Sequence, residues 1–196
     1  MKKLLKIGLT GGIGSGKTTI SKIFQTLGIP IFNADHHSKK ILNNNTKVRN
    51  DIVVAFGDSI LNKNQIDNKK LAKIAFQNKK KLTVLNSIIH PYVIRDFNRW
   101  ILKQNTNYII KESAILFESK THKQLDKIIV IKAPIKLRIQ RIVNRDNRSV
   151  SEIKKIMNHQ QKTHEISKYA DYIVNNNEKK LLTPQIIKIH NTLSNL

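Results

Sequence analysis

The sequence predicts an α/β fold, a parallel five-stranded sheet flanked by helices, and three observations carry that prediction. Short apolar runs alternate with stretches of helical periodicity, the pattern of strand–helix–strand units. A glycine-rich loop separates the first apolar run from the first helix. Between about residues 36 and 103 the strand signal lapses and helical patterns follow one another, so a helical insert interrupts the sheet.

The elements follow in order. Residues 4–9, "LLKIGL", are apolar and lead into glycines, as a buried parallel strand should. The next helix sets Ile20, Ile23, Phe24 and Leu27 on one face, and Gly28 stops it. "IPIF" at 29–32 is the second strand and completes a βαβ unit. In the insert, "SKKIL", "VRNDIVVAFG", "NKKLAKIAF" and "KKLTVLNSIIHPYVIRDFNRWILK" read as helices. Strands return in "NYIIKESAILF" (107–117) and "DKIIVIKAP" (126–134), the latter closed by Pro134. A basic helix over 135–145 follows, then a charged helix from Val150 with Ser151 as its cap. "ADYIVNNN" (170–177) is the fifth strand. Thr183 as N-cap and Pro184 as first helical residue open a closing helix that buries Ile186, Ile187 and Leu193.

Composition narrows the class. A chain of 196 residues holds one well-cored domain, or a core with a smaller insert. Hydrophobic content of 39% and charged content of 25% are those of a folded chain. The sequence has no cysteine, which excludes disulfides, thiolate zinc sites and thiol nucleophiles and fits a reducing compartment. "MKKLLKIGL" shares two lysines with a signal peptide's basic start, but Lys6 interrupts its apolar run, so it reads as the first strand. No segment approaches the roughly 18 apolar residues that span a bilayer. A soluble, cytoplasmic protein with no membrane partner is expected.

The net charge of +23 suggests nucleic acid, because neutralising phosphates drives non-specific binding. The other reading is compositional: the excess is mostly lysine, scattered from Lys2 to Lys188, and accompanied by abundant isoleucine and asparagine. No dense basic stripe interleaves with aromatics. The expectation is therefore an anionic small substrate and no specific nucleic-acid partner.

The chemistry begins at "GLTGGIGSGKTT", residues 8–19. Gly11, four residues, then Gly16, Lys17 and Thr18 fit the G-x-x-x-x-G-K-[ST] pattern, and the loop lies between a strand and a helix, as its mechanism requires. Glycines let the backbone N–H groups of Gly12, Ile13, Gly14, Ser15 and Gly16 close around phosphates, and the helix N-terminus at Lys17, Thr18 and Thr19 adds partial positive charge. Lys17 bridges the β- and γ-phosphates of ATP, and the Thr18 hydroxyl ligates Mg²⁺.

The acceptor is a separate question. After Gly57 the chain has no glycine, which excludes a later D-x-x-G switch or a glycine-bearing transporter signature, and no N-K-x-D guanine motif occurs. "NYIIKES" and "DKIIVIKA" lack the terminal Asp of a motor's second nucleotide motif, which argues against a nucleic-acid-stimulated ATPase. A small-molecule kinase survives. Asp35, just past the second strand, is either the base that takes the acceptor's proton or a cap for the next helix. Arg138, Arg141 and Arg145 share a helical face, which either closes over ATP or is a solvated basic surface. His36 with His37, and His159 with His164, form no metal-ligand set. Phe32, Tyr92, Phe97 and Trp100 either belong to the core or stack on an adenine.

"IGLTGGIGSGKTT", "LGIPIFNAD", "LNSIIHP", "ILFE", "IQRIVNRD", the Gln160 of "MNHQ" and "ADYIVNN" together resemble, in order and spacing, the bacterial dephospho-coenzyme A kinases. The resemblance covers nearly the whole chain. It implies a P-loop kinase fold with a core at about 1–35, 104–134 and 168–196, a helical CoA-binding insert at about 36–103 and a helical lid at about 135–167. It implies transfer of the ATP γ-phosphate, with Mg²⁺, to the ribose 3′-hydroxyl of dephospho-CoA by a monomer or weak homo-oligomer. Asp35 then matches the general base, Arg141 and Arg145 the lid arginines and Leu116 the acceptor-binding set, and His90 is either part of that set or a satisfied core histidine beside Pro91. The chain departs from the family pattern at Asn33 (usually Asp), Ala114 (usually Pro), Ile166 (usually basic) and Asn175 (usually acidic), and it lacks the glycine that usually follows the asparagines. None of these departures touches Lys17, Thr18, Asp35 or Arg141, so they read as drift in a working enzyme, accompanied by a looser lid or a weaker metal site.

Overall fold

A computed structural model describes residues 4–63, 65–75 and 78–196. Met1–Lys3, at the start of the stretch read as the first strand, and Phe76, at the end of a helical pattern, lie outside the described residues. The chain divides into two compact units, Met1–Asn33 with Lys103–Leu196, and Ala34–Leu102.

The first unit carries β1 (Leu5–Thr10), α1 (Lys17–Thr26) and β2 (Ile31–Asn33), and then, after the insert, β5 (Tyr108–Glu112) and β6 (Lys127–Lys132). Helices α6 (Ile135–Asp146), α7 (Val150–Asn158) and α8 (Thr163–Ile166), strand β7 (Tyr172–Asn175) and α9 (Leu182–Ser194) complete it. Its five strands are all parallel, in the order β2-β5-β1-β6-β7. The chain winds outward from β1 to β2, returns through β5, and then crosses β1 to reach β6. The carboxyl end of β1 therefore lies where the strand order reverses, the crevice in which open α/β sheets hold ligands.

Strand alternation builds two apolar layers. Ile129 and Ile131 of β6 face a cluster with Ile7 and Leu9 of β1, Ile20 and Phe24 of α1, and Ile186, Ile189 and Leu193 of α9. Ile128 and Val130 face the other way, onto Leu116, Phe117 and Ile166. Every residue of β5 is buried, as a strand covered on both faces requires.

The second unit is helical: α2 (Ala34–Asn44), α3 (Thr46–Phe56), α4 (Asn68–Ala75) and the 23-residue α5 (Lys79–Ile101). Asn45 and Asn78 cap α3 and α5 through their side-chain oxygens. Phe32, in the first unit, and Phe97, in this one, are both core residues, fully or almost fully buried. Trp100 stacks on Phe97, and Tyr92 lies under the Arg95 guanidinium. Beside the helices is a strand pair that the sequence does not reveal, β3 (Leu61–Asn62) against β4 (Gln65–Ile66). Two residues per strand are too few to display a period of two.

Four local expectations need correction. The strand read over 107–117 ends at Glu112, and "AILF" is a turn whose Leu116 and Phe117 pack into the second apolar layer. The cap of α7 is Ser149, not Ser151: Ser149 and Glu152 form a reciprocal capping box, whereas three residues after Ser151 stands a lysine. Helix α9 begins at Leu182, ahead of Thr183, with Leu181 at the cap position. Pro184 sits in its first turn, where the missing N–H has no partner to lose. Ile187 is 41% exposed, and Ile189 takes its place inside, three residues after Ile186 on the same face.

Lys111 of β5 is 2% exposed, and burial pulls its ammonium from 10.5 down to about 8. Above about pH 8 the unfolded chain binds a proton that the folded chain has released, so stability rises with pH through this window. Urea unfolding should show a gain of about 2 kcal/mol between about pH 8 and about pH 9.5. Lys111→Met should flatten that slope.

Candidate active site

The loop between β1 and α1 is shaped by two left-handed glycines, Gly14 at φ 77° and Gly16 at φ 94°. Gly16 is also the N-cap of α1, and it gives that helix neither a capping side chain nor an acidic first turn. Such an end attracts an anion, because its first N–H groups and the helix dipole both point outward. Lys17 opens α1 and its Nζ donates to the Gly11 carbonyl at 2.9 Å. Thr18 and Thr19 are exposed in the same turn, and Ser15 is buried with no hydrogen-bond partner for its hydroxyl among the described residues.

Side chains from the far half of the chain hold the outer surface of this loop. Arg138 of α6, 8% exposed, donates from Nε to the Ile13 carbonyl at 2.9 Å, and a Cβ on Gly12 would overlap its guanidinium. Burial lowers the Arg138 pKa, yet a guanidinium remains charged. Gln160, just past α7, accepts the Ile13 N–H at 2.8 Å. Asn176, just past β7, donates to the Ser15 carbonyl at 2.8 Å, and a Cβ on Gly16 would overlap its amide. Arg141 extends the chain of contacts, donating from Nη2 to Asn176 Oδ1 at 3.1 Å and to Glu178 Oε1 at 3.0 Å. Its Nη1 is shielded from solvent and has no partner among the described residues, a guanidinium donor suited to an anion.

A carboxylate lies at the end of β5. Glu112 is 4% exposed, and its Oε2 accepts from Ser21 of α1 at 2.9 Å and from Asn33 of β2 at 3.1 Å. The motor-type motif that "NYIIKES" lacks ends in Asp; the acid at this strand end is Glu112 instead. The available signal is an acid as the last residue of the strand "YIIKE", at the carboxyl edge where the sheet holds ligands. Asn33 now has a physical reading: an Asp at that position would set a second carboxylate against Glu112, whereas the amide donates to it. Thr18 and Glu112 supply the oxygen donors that suit Mg²⁺. Among the described residues no cluster of three or more His, Cys, Asp or Glu could cage a metal, so the fit is to a cation held largely by water and phosphate.

The other expected site residues are spread wider. Asp35 is exposed in the first turn of α2, two residues beyond β2, and belongs with His90 of α5 to the second unit. Leu116 is fully buried in the apolar layer that also holds Ile166. Arg145, in the last turn of α6, is exposed and closes bidentately on Asp146. Within the second unit, His37 approaches Asp96 at 3.7 Å, with burial lowering its pKa.

The family model described as dephospho-CoA kinase matches residues 5–181. The chain belongs to the dephospho-CoA kinase family. A dephospho-CoA kinase of Fusobacterium nucleatum is 41% identical over 177 residues, covering 89% of this chain and 90% of the relative. The solved dephospho-CoA kinase of Campylobacter jejuni is 29% identical, with a TM-score of 0.69 and 97% of both chains covered. A crystal structure from Thermus thermophilus superposes with a TM-score of 0.86 over 97% of this chain and 98% of that one, and at 22% identity it shows the shared fold. Among the described residues no helix is long and apolar enough to cross a membrane.

Glu178 occupies the place of the missing glycine at φ 63°, so the backbone keeps the left-handed turn. The strain of a side chain there is on the order of 1 kcal/mol, and an exposed ion pair with Arg141 offsets little of it. Glu178→Gly should therefore leave thermal stability unchanged or raise it, as read by differential scanning calorimetry.

Proposed function

We propose that this chain transfers the ATP γ-phosphate to the ribose 3′-hydroxyl of dephospho-CoA, giving coenzyme A and ADP, and that the residues below carry the reaction. The observation that carries the reading is the uncapped N-terminus of α1, framed by a loop whose Ile13 and Ser15 carbonyls are already bonded to side chains from elsewhere in the fold. Membership of the family supplies the acceptor.

Catalysis of phosphoryl transfer is largely positioning and charge stabilisation. Lys17 and the α1 N-terminus hold the β- and γ-phosphates. Arg141, with one guanidinium nitrogen still unbonded, neutralises the charge that develops as the γ-phosphoryl leaves ADP. Asp35 takes the proton from the 3′-hydroxyl as that oxygen attacks; its position directly beyond β2 supports this role. Thr18 and Glu112 would hold Mg²⁺, which supplies further neutralisation of the phosphates. Arg145 and His90 complete the proposed binding set, while Leu116, fully buried in the apolar layer, supports its own turn, and the strongly basic chain favours an acceptor that carries a pyrophosphate. The proposal places the enzyme in the cytoplasm, with a small molecule as its partner.

The test is ADP release from ATP and Mg²⁺ in the presence of dephospho-CoA, AMP, CMP or no acceptor. Only dephospho-CoA should stimulate it. Asp35→Asn should lower kcat by about 10² or more, and Arg141→Ala by about 10³. Stimulation by a monophosphate, or by none of the acceptors, would contradict the assignment.

A further inference from the structure

Two sequence motifs, the glutamate of "ILFE" and the glutamine of "MNHQ", have no part in the reaction described above, yet the structure brings them to one place. Gln160 and Gln161 follow the C-cap of α7, His159. The Gln161 backbone N–H donates to Glu118 Oε1 at 2.7 Å, and the Gln160 side chain accepts the Ile13 N–H at 2.8 Å. Glu118 itself stands on a firm base. Phe117 is buried in the apolar layer and stacked on His122, and the turn closes through Ser119 N–H to the Ile115 carbonyl at 3.0 Å.

We propose that Gln160 is a positioning residue of the phosphate loop, and that Glu118 aims it by holding the next peptide. Ile13 directly precedes Gly14, the first left-handed residue of the loop. Gln160 holds the Gly12–Ile13 peptide through its N–H and Arg138 holds the Ile13–Gly14 peptide through its carbonyl, so both planes flanking the Ile13 Cα are held. That fixes the rotation at which the chain enters Gly14, and hence the direction of the N–H groups that follow. A neutral amide suits the task, since a carboxylate accepting the same N–H would set a negative charge beside the phosphates. Gln160 does not touch a reacting atom in this scheme; it acts through the loop's shape. The inference rests on the assignment of the loop to ATP made above.

The test is ATP affinity by titration calorimetry, beside steady-state KM for each substrate, in folded full-length variants checked by circular dichroism. Gln160→Ala and Glu118→Ala should each weaken ATP binding about five- to tenfold, the effect of one lost hydrogen bond. KM for dephospho-CoA should stay within about twofold of wild type. Because the two residues act in series, the double variant should be no weaker than the weaker single one. Glu118→Gln, whose amide oxygen still accepts, should restore near-normal affinity. Should Glu118→Ala not fold, Gln160→Asn, one methylene too short, replaces it and should match Gln160→Ala. Unchanged ATP affinity in Gln160→Ala, fully additive losses in the double variant, or a Glu118→Gln as damaged as Glu118→Ala would overturn the proposal. Failure of the acceptor assignment would look different: wild type would bind ATP with Gln160 still required, and dephospho-CoA would not stimulate ADP release.

Discussion

A tight loop that turns its N–H groups inward must turn carbonyls outward, and a buried carbonyl without a partner is destabilising by roughly 1–3 kcal/mol. The loop between β1 and α1 meets this constraint with side chains distant in sequence. The Ile13 carbonyl is bonded to Arg138, 125 residues away, and the Ser15 carbonyl to Asn176, 161 residues away; the Ile13 N–H faces outward as well, and Gln160, 147 residues away, accepts it. The glycines of the loop serve this contact as much as its curvature. Gly12 and Gly16 leave room for the Arg138 guanidinium and the Asn176 amide, where a Cβ would not fit. The phosphate site is therefore a product of the finished sheet: β6 must lie beside β1 for α6 to start where Arg138 reaches the loop, and β7 beside β6 for Asn176 to follow.

Much of this architecture is legible in the residues themselves. The sheet strands announce themselves as apolar runs, and the nucleotide loop by a spacing that fixes both its glycines and its lysine. What stays hidden is tertiary. Asn176 is the middle of three asparagines, and nothing local distinguishes the one that meets Ser15 from its neighbours. Arg138 is visible as one of a row of arginines, but only packing shows that it is buried on the loop while Arg145 is exposed on Asp146. Glu112 is inconspicuous because its importance comes from its register with Leu9 and Asn33 on the neighbouring strands.

The departures from the family pattern follow the same logic. Ile166, where a basic residue is usual, is 5% exposed and packs with Leu116 and Phe117, so apolar burial anchors the segment that follows Gln160. Asn33 donates to Glu112 where an acid would repel it. Glu178 tolerates a turn made for glycine and meets Arg141. None of these three positions lies in the loop or at Lys17 or Thr18.

The phosphate loop and the side chains that hold it should respond as one unit, which hydrogen–deuterium exchange reads residue by residue. Adding ATP with Mg²⁺ to the intact chain should slow exchange at the amides of residues 14–19 and, together with them, at residues 138–141, 160–161 and 176. Protection confined to residues 14–19, with the far segments unchanged, would contradict it.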